Sequence, residues 1–449
     1  MKRFINGKWG VGLMAMAAIL VLLAAACAPA ATPTPTPTKA APAATPTTAA
    51  APKVEATKPA AEPTKPAAPA ATPTTAAAAK PTGAPVKIGF VVPLSGALSS
   101  YGLLQRIAGR LAEEDINSSG GINGSPMQLV IEDSPFDPKQ AVTAVRKLAD
   151  QDKVFAIVGP YATAEMEVAA PLANELKLVV ASGSATKLGL AEANRPWAFQ
   201  MNVRDATNTP PAIDLFKKLN PNVKKVVLTG DTKEAVTEYM VKDLLPKLLK
   251  EKGLDVIDTV PFDRGTTDFS AIVTKIKGLN PDGIVIASLM PEAMGMAKEL
   301  QRQQVKAPVM TDGHPTGGPL FQLAGESVEG WVMPTYFDWE NPDPKVQSFA
   351  KRFFERAQSD ASVTPKPAHM VTEGSYYDTV MIVADILRKA GVKGDTPLQE
   401  ARQKVMEGMT NLKDYPGVGG KISMLSSGNT DRQPTPALVL EKGKYKIVR

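Results

Sequence analysis

Hydroxyl side chains and one carboxylate collect in short loops, each of which follows an apolar run that predicts a strand. The side chains in these loops that could contact a ligand are Tyr101, Thr163, Ser182, Ser184, Thr186 and Asp312. Thr163 opens a helical pattern, where we expect it to be the N-cap, and a helix N-terminus offers N–H donors that can hold a carboxylate. Asp312 could accept from an ammonium group, and Tyr101 could cover an apolar side chain. These groups together predict a site for a small polar or zwitterionic solute.

Each of these residues also has a purely structural interpretation. Thr163 could cap its helix and do nothing more, and Tyr101 could be a packing aromatic. The hydroxyls between positions 182 and 186 could belong to a turn, as could Asp312 before Gly313. Their common position after strands favours the ligand-binding interpretation for the group as a whole.

Motifs for enzymatic chemistry are absent from the sequence. The chain has two histidines and contains no HExxH, GxSxG, P-loop or strand-linked GxGxxG motif. Asp312 and His314 form the one pair that could act catalytically, as in a hydrolase. We therefore expect a protein that is not an enzyme and uses neither a metal nor a cofactor.

Strands and helices alternate through the part of the chain that carries these loops. Apolar runs such as 87–92 and 154–158 predict strands, while leucine and isoleucine recur at helical spacing between 103 and 116. This alternation predicts an α/β fold in which parallel sheets are covered by helices on both faces. Right-handed crossovers bring the carboxyl ends of parallel strands to one edge, where such sheets bind ligands.

The first residues are typical of a secretory signal, with basic residues followed by the apolar run 11–26. Cys27, the only cysteine, follows Leu23–Ala26, a segment that resembles a bacterial lipobox. That resemblance implies a lipoprotein signal peptide at 1–26, cleavage before Cys27 and a lipid anchor on this cysteine.

Residues 27–85 separate this leader from the rest of the chain. After Cys27 they are almost entirely Ala, Pro and Thr and have no hydrophobic period, so we predict a disordered tether. Eight of the 51 basic residues but only two of the 45 acidic residues precede Val86, which leaves 43 of each in the module 86–449. A neutral module lacks the electrostatic footprint of a nucleic-acid-binding protein. Its length suits two lobes better than one core.

Several segments of the module resemble the leucine/isoleucine/valine-binding proteins, which are periplasmic binding proteins of type I fold that supply ABC importers. The segments are VKIGFVVPLSG at 86–96, DINSSGGINGSPMQLVIEDS at 115–134, DPKQA at 137–141, GP at 159–160, ASGSAT at 181–186, Asp268-Phe269-Ser270 and the C-terminal GKYKIV. The resemblance implies two lobes, each a mostly parallel sheet covered by helices, joined by a three-strand hinge. We expect lobe 1 at 86–204 plus 335–425 and lobe 2 at 205–334 plus 426–449.

The resemblance also implies roles for individual residues. Thr163 matches a hydroxyl that binds the solute carboxylate, Ser184 a residue that contributes backbone groups, and Thr186 a threonine that contacts carboxylate and ammonium. Tyr101 matches an aromatic residue of the side-chain pocket. Asp312 lies within one residue of the acid that binds the ammonium.

Four positions depart from the family pattern. Ala235 and Leu289 stand where the family has pocket tyrosines, and we expect Leu289 to line the pocket. Phe136 and Ala162 replace a cysteine pair. The carboxylate chemistry of the first lobe is thus retained, whereas the specificity of the second lobe is altered.

These observations predict the extracytoplasmic solute-binding subunit of an ABC importer, periplasmic if the cell has an outer membrane. We expect a lipid-anchored monomer that captures a small carboxylate-bearing solute by hinged closure and passes it to permease and ATPase subunits. A branched-chain or other apolar amino acid is the expected solute. The alternatives are a ligand-sensing receptor subunit, a binder of an amide, urea or aromatic acid, and a hydrolase.

Overall fold

A computed structural model describes residues 80–317, 319–433 and 435–449. The predicted signal peptide, Cys27 and most of the predicted tether lie outside these residues. The described chain joins the folded module before its first strand, because the backbone N–H groups of Thr82 and Gly83 donate to the carbonyl of Gly124.

The first sheet of the described chain is parallel, and its strands follow the order β2-β1-β3-β4-β5. Its strands are β1 (Val86–Val92), β2 (Met127–Asp133), β3 (Ala156–Val158), β4 (Val180–Ser182) and β5 (Ala198–Gln200). The intervening helices are α1 (Ser99–Ser118), α2 (Pro138–Asp150) and α3 (Thr163–Leu176). Strands β1, β3, β4 and β5 are almost entirely buried because both faces of the sheet are covered, whereas the edge strand β2 has exposed and half-buried positions.

After β5 the chain crosses at 201–204 into a second, mostly parallel sheet of order β15-β14-β10-β9-β8-β6-β7. Two of its strands, β14 (Ala437–Glu441) and β15 (Lys444–Val448), come from the C-terminal end of the chain and form an antiparallel pair. Its parallel strands are β6 (Lys225–Asp231), β7 (Asp255–Phe262), β8 (Gly283–Ala287), β9 (Val309–Thr311) and β10 (Val332–Pro334). The helices of this part are α4 (Asp205–Leu219), α5 (Ala235–Tyr239), α6 (Leu245–Glu251), α7 (Ser270–Leu279), α8 (Met290–Arg302) and α9 (Leu320–Ala324).

Alternating side chains of the second sheet enter two separate apolar clusters. On β8, Ile284 and Ile286 belong to the cluster shared with α8, whereas Val285 and Ala287 belong to the cluster that packs against α4 and α6. Successive residues of a strand point to opposite faces, so a continuous apolar run serves both layers.

The apolar spacing between 234 and 252 predicts a single helix, but in the structure this helix is interrupted. A π-helical turn at Met240–Leu244 separates α5 from α6. Pro246 follows directly and has no N–H to donate, and a wider turn accommodates the missing hydrogen bond.

A second crossing at 335–343 returns the chain to the first sheet, and a third leads back to the second sheet after Asp431. The helices between these crossings are α10 (Pro344–Ser359), α11 (Glu373–Lys389) and α12 (Leu398–Thr410), and the former two pack on α1. The remaining strands are β11 (Tyr415–Gly417), β12 (Gly420–Met424), β13 (Thr430–Asp431), β14 (Ala437–Glu441) and β15 (Lys444–Val448). Residues as far as Asp431 stay with the first sheet, because Asn429 bridges Gln200 and β13 pairs with β12. The third crossing therefore lies beyond the 425/426 boundary expected from the sequence.

Candidate functional site

A cavity lies between the carboxyl edges of the two sheets and encloses about 420 Å³ of atom-free space, part of it open to solvent. Loops after β2, β3 and β4 supply one wall, and loops after β6, β8, β9 and β10 supply the other. The lining residues are Tyr101, Phe136, Tyr161, Ala162, Thr163, Ser184, Glu234, Val236, Leu289, Gly313, His314, Tyr336, Val371 and Thr372. The predicted convergence of strand ends thus produces one compartment.

The start of α3 forms the polar end of the first wall. The prediction that Thr163 is the N-cap is wrong: Ala162 is the N-cap and Thr163 is the first helical residue. The carboxylate of Glu165 accepts from the N–H of Ala162 at 3.1 Å and from the hydroxyl of Ser134, so the first turn is stabilised without a hydroxyl cap. Thr163 therefore keeps its hydroxyl for other partners and is buried in the cavity wall.

In the loop after β4, one serine hydroxyl stabilises the loop and another serine lines the cavity. Ser182 does not line the cavity, since its hydroxyl donates to the carbonyl of Pro160 at 2.7 Å and accepts from the N–H of Ala185 at 3.0 Å. Ser184 does line it, while its hydroxyl bonds the carbonyl of Tyr161 at 2.6 Å. Ser182 thus shapes the loop that presents Ser184.

Aromatic rings form the apolar wall of the cavity. The ring of Tyr101 packs edge-on against Phe136 at 6.3 Å and against Tyr161 at 5.5 Å between centroids. Behind them Tyr376 stacks on Tyr161 at 6.1 Å, and Gly183 is required there because a Cβ would lie 2.7 Å from the Tyr376 ring. These rings present an apolar surface to a side chain of the solute.

Tyr101 also connects the two lobes. Its phenol oxygen accepts from the N–H of Met290 at the start of α8, at 3.1 Å, and its hydroxyl donates to the carbonyl of His314 at 3.2 Å. Because α1 belongs to the first lobe and both partners belong to the second, these bonds join the two lobes.

His314 is a buried cation among carboxylates of the second wall. Its Nδ1 bonds Asp312 Oδ2 at 2.9 Å, and its Nε2 lies 3.4 Å from the hydroxyl of Thr186 and 3.9 Å from Asp205 Oδ2. Burial disfavours the imidazolium, but Asp312 and Asp205 outweigh burial and raise the pKa of His314 to about 9. Asp312 and Thr186 therefore lie behind His314 and do not line the cavity.

Tyr336 completes this group from the second crossing. Its hydroxyl donates to Asp205 Oδ1 at 2.7 Å, and its ring packs so closely on Gly313 that a Cβ there would lie 2.6 Å from a ring carbon. Glycine at 313 thus lets His314 and Tyr336 line the same cavity.

Glu234 brings a second buried charge pair to the cavity. Its carboxylate accepts from Arg264 at 3.0 Å, and the Arg264 guanidinium lies over the ring of Phe136 at 5.3 Å. Burial raises the pKa of Glu234, while Arg264 and the N–H of Ala164 in the first turn of α3 act in the opposite direction. This ion pair from the second lobe therefore contacts the first lobe at two points.

The structure brings Tyr101, Thr163, Ser184 and Leu289 together in the cavity wall and leaves the other predicted residues behind it. Tyr161 could have been found from the sequence, because it stands in the same strand-end loop as Thr163. Glu234 and Tyr336 carried no comparable signal. Across the described ranges, no cluster of His, Cys, Asp and Glu has the arrangement of a metal site. None of the helices described there is long and apolar enough to cross a membrane.

Comparison with known proteins identifies this architecture. The profile of the periplasmic binding protein family matches residues 85–444, and the chain belongs to this family. More closely, it belongs with the leucine/isoleucine/valine-binding proteins, the solute-binding proteins of ABC transporters. The predicted two-lobed type I fold and the prediction that the protein is not an enzyme are both confirmed.

Two relatives come from Pseudomonas aeruginosa. An amino acid binding protein is 30% identical over 252 residues, which are 56% of this chain and 67% of that protein. A leucine-, isoleucine-, valine-, threonine- and alanine-binding protein is 24% identical over 318 residues, 70% of this chain and 81% of the relative.

Solved structures support the same fold. A leucine-binding protein from Thermotoga maritima superposes with a TM-score of 0.70 at 22% identity, over 81% of this chain and 98% of that structure. A solute-binding protein from R. palustris in complex with benzoate gives 0.69 at 18% identity, over 81% and 95% of the two chains.

Proposed function

We propose that this protein captures a small amino acid with an apolar side chain, branched-chain amino acids being the first candidates, and delivers it to an ABC importer. The observation that carries this proposal is the opposite chemistry of the two cavity walls. The first wall offers the start of α3, Thr163 and Ser184, which are uncharged groups suited to a carboxylate. The second wall offers the carboxylate of Glu234, with Asp205 and Asp312 behind it next to His314, and the aromatic surface lies between the two walls.

The second wall has a hydrogen-bond acceptor without a partner, which suits an ammonium group. Glu234 lines the cavity, and among the residues described its Oε1 is buried and has no hydrogen-bond partner. Asp205 Oδ2 and Asp312 Oδ1 also lack a hydrogen-bond partner, but they lie next to His314 and outside the cavity lining. A buried acceptor without a partner costs about 1–3 kcal/mol, and more when it is charged. An ammonium brings three donors and a positive charge, so a zwitterion satisfies both walls at once.

The relatives support an amino acid as the solute and point to one alternative, an aromatic acid. Two of them are named as amino-acid-binding proteins, whereas a structural neighbour holds benzoate. An aromatic acid would occupy the carboxylate end and the aromatic wall. It would leave the acidic oxygens of the second wall unpaired, which favours the amino acid.

We further propose that the lobes, with boundaries at the three crossings, close around the solute as a hinge. The leader and Cys27 are proposed to anchor the protein outside the cytoplasmic membrane through a lipid, with residues 27–85 as tether. A single chain supplies both cavity walls, which supports a monomer as the binding unit.

The proposal is tested by isothermal titration of the full chain after removal of copurified solute. L-Leucine, L-isoleucine and L-valine are compared with 4-methylpentanoate, which is leucine without its amino group, and with benzoate. We expect the amino acids to bind and 4-methylpentanoate to bind at least about tenfold more weakly, because it lacks the ammonium. Tighter binding of benzoate than of any amino acid would contradict the proposal.

A further inference from the structure

A second cavity adjoins the first and encloses about 390 Å³ of atom-free space. Its walls are apolar, with Leu103 and Leu104 of α1 on one side and Val363, Pro365 and Pro367 on the other. Thr316 and Pro319 close it from the second lobe. We call this space the tail chamber.

The tail chamber is built from the same three elements as the first cavity. Val371 lines both spaces. Next to it, Thr372 lines the first cavity and Glu373 lines the chamber. On α1, Tyr101 likewise lines the first cavity and Leu104 lines the chamber. The chamber therefore lies directly beside the cavity in which the solute is proposed to bind.

Two polar groups in the chamber wall lack a hydrogen-bond partner within the described residues, the hydroxyl of Ser100 and Nδ1 of His369. Nε2 of His369 bonds the carbonyl of Thr316 at 2.6 Å, and a carbonyl only accepts, so Nε2 carries the proton. Burial lowers the pKa of His369 to about 4, which keeps the ring neutral. Nδ1 is then a bare acceptor, and within the described residues it has no hydrogen-bond partner, although only 4% of His369 is exposed.

Glu373, which also lines the chamber, does not compete for this role. The carboxylate of Glu373 already accepts from the N–H of Val371 and from the amide of Gln105 at 3.2 Å. The chamber thus combines mostly apolar walls with two unused neutral polar groups, of which Nδ1 of His369 can only accept a hydrogen bond. This pattern is typical of a pocket for the body of a small ligand.

We propose that the tail chamber receives the end of the solute side chain, and that this end is an aromatic or branched apolar group carrying one neutral hydrogen-bond donor for Nδ1 of His369. A phenol hydroxyl or an indole N–H has this chemistry. The inference rests on the proposed solute-binding function and extends the candidate solutes from the branched-chain amino acids to larger ones whose side chain carries such a donor.

Two matched pairs of probes test the donor. L-Tyrosine is compared with L-phenylalanine, and 4-hydroxybenzoate with benzoate, by titration of the full chain. In the pair that binds, we expect the hydroxylated member to bind roughly five- to tenfold more tightly. His369→Phe keeps an aromatic ring next to Tyr445 and should abolish this difference. Equal affinities within each binding pair in the wild type would overturn the proposal.

A substitution that fills the chamber tests whether the end of the solute side chain lies there. Val363→Phe adds a ring to the chamber wall and should weaken L-tyrosine binding by about tenfold or more, since overpacking a closed pocket is costly. L-Alanine, which does not reach the chamber, should keep its affinity. Ile257→Phe, at an exposed position of β7, is the matched control and should change neither. Unchanged L-tyrosine binding in Val363→Phe would contradict the assignment.

Failure of the inference and failure of the proposed function have different signatures. If L-leucine and L-alanine bind while the hydroxyl pairs and the filled chamber show no effect, only the tail chamber is wrong. If no probe binds the wild type, the solute-binding proposal fails and the inference fails with it. Thermal melting verifies folding, and Leu103→Trp fills the chamber from the opposite wall if Val363→Phe does not fold.

Discussion

The hydroxyl of Thr163 is available for ligand binding because another side chain caps the helix. Glu165 already holds the N–H of Ala162, so the first turn of α3 does not need the Thr163 side chain. The hydroxyl lies instead in the cavity wall, beside the backbone N–H groups at the start of the helix. Its contribution should therefore appear in binding rather than in stability.

We predict that Thr163→Val weakens L-leucine binding by about tenfold or more, because a hydrogen bond to a carboxylate is lost without a change in volume. The measurement is isothermal titration at constant pH. Thr143→Val is the matched control, since Thr143 is exposed on α2 and its hydroxyl bonds the carbonyl of Lys139. Equal affinity of Thr163→Val and wild type would show that the carboxylate binds elsewhere.

His314 makes a second prediction at this scale, concerning stability and pH. Its pKa is raised from 6.5 to about 9 in the folded state, so the folded protein holds a proton that the unfolded chain releases near 6.5. The stabilisation is complete below pH 6.5 and is lost as the pH rises to 9, by on the order of 3 kcal/mol. His314→Gln should remove this dependence.

The free energy of unfolding in urea, measured from pH 6 to pH 9.5 for both proteins, checks this prediction. Glu165 and Glu373, whose pKa values are raised to about 7 by burial, also titrate in part of this range. They remain in both proteins, so the difference between the two curves isolates His314. Parallel curves would mean that His314 is neutral in the fold.

At the scale of elements, the proposed closure of the lobes depends on hydrogen bonds between Tyr101 on α1 and the second lobe. Tyr101 reaches from α1 to the first N–H of α8 and to the turn after β9. In the proposed hinge motion these bonds break when the lobes open, so we expect them to stabilise the closed state alone.

We predict that Tyr101→Phe leaves the association rate of L-leucine nearly unchanged and raises its dissociation rate several-fold, because each lost bond is worth about 1 kcal/mol. Stopped-flow fluorescence measures both rates. Tyr377→Phe is the control, since its hydroxyl bonds Asp115 at 2.6 Å within the first lobe. An equal rise in both variants would remove the special role of the contact between lobes.

The elements of the fold were predictable from the sequence and the contacts between lobes were not. Strands such as β1 and β8 follow from short apolar runs, because a sheet buried on both faces needs no alternation. The loops of Thr163 and Ser184 follow from strand ends. Glu234 and Tyr336 could not be predicted, because their partners Ala164 and Asp205 are distant in sequence and become neighbours only through tertiary packing.

The interruption of the helix after Glu234 was also not predictable from the sequence. Its apolar spacing predicts one helix across 234–252, and the spacing is nearly unaffected by the π-helical turn at Met240–Leu244. Pro246 marks the place in the sequence, but hydrophobic periodicity does not specify how the backbone accommodates it.

For the whole molecule, the three crossings are held together by a few polar side chains. Asn208 of α4 donates to the carbonyl of Thr335 in the second crossing and accepts from the hydroxyl of Thr435 in the third, at 2.6 Å. Tyr336 and Asp205 join the second crossing to the first. The crossings therefore form one connected hinge region.

Arg432 anchors the third crossing to the first lobe through a fully buried ion pair. Its guanidinium lies 3.3 Å from Asp378 Oδ2, and 1% of each side chain is exposed. Asp378 also accepts from the N–H groups of Val418 and Gly419 at 2.7 and 2.9 Å. Burial raises the pKa of Asp378 and Arg432 opposes this rise, so the carboxylate depends on its partner for its charge.

We predict that Arg432→Met lowers the free energy of unfolding by about 3–5 kcal/mol, because it leaves a buried carboxylate without its counter-ion. Adding Asp378→Asn should recover part of this loss, since the unpaired charge is then removed. Arg449→Met is the control, because Arg449 pairs with Asp338 while half exposed, and it should cost less than about 1 kcal/mol. Urea unfolding of the four proteins decides the matter: similar values for Arg432→Met and Arg449→Met would mean that the third crossing is not anchored by charge.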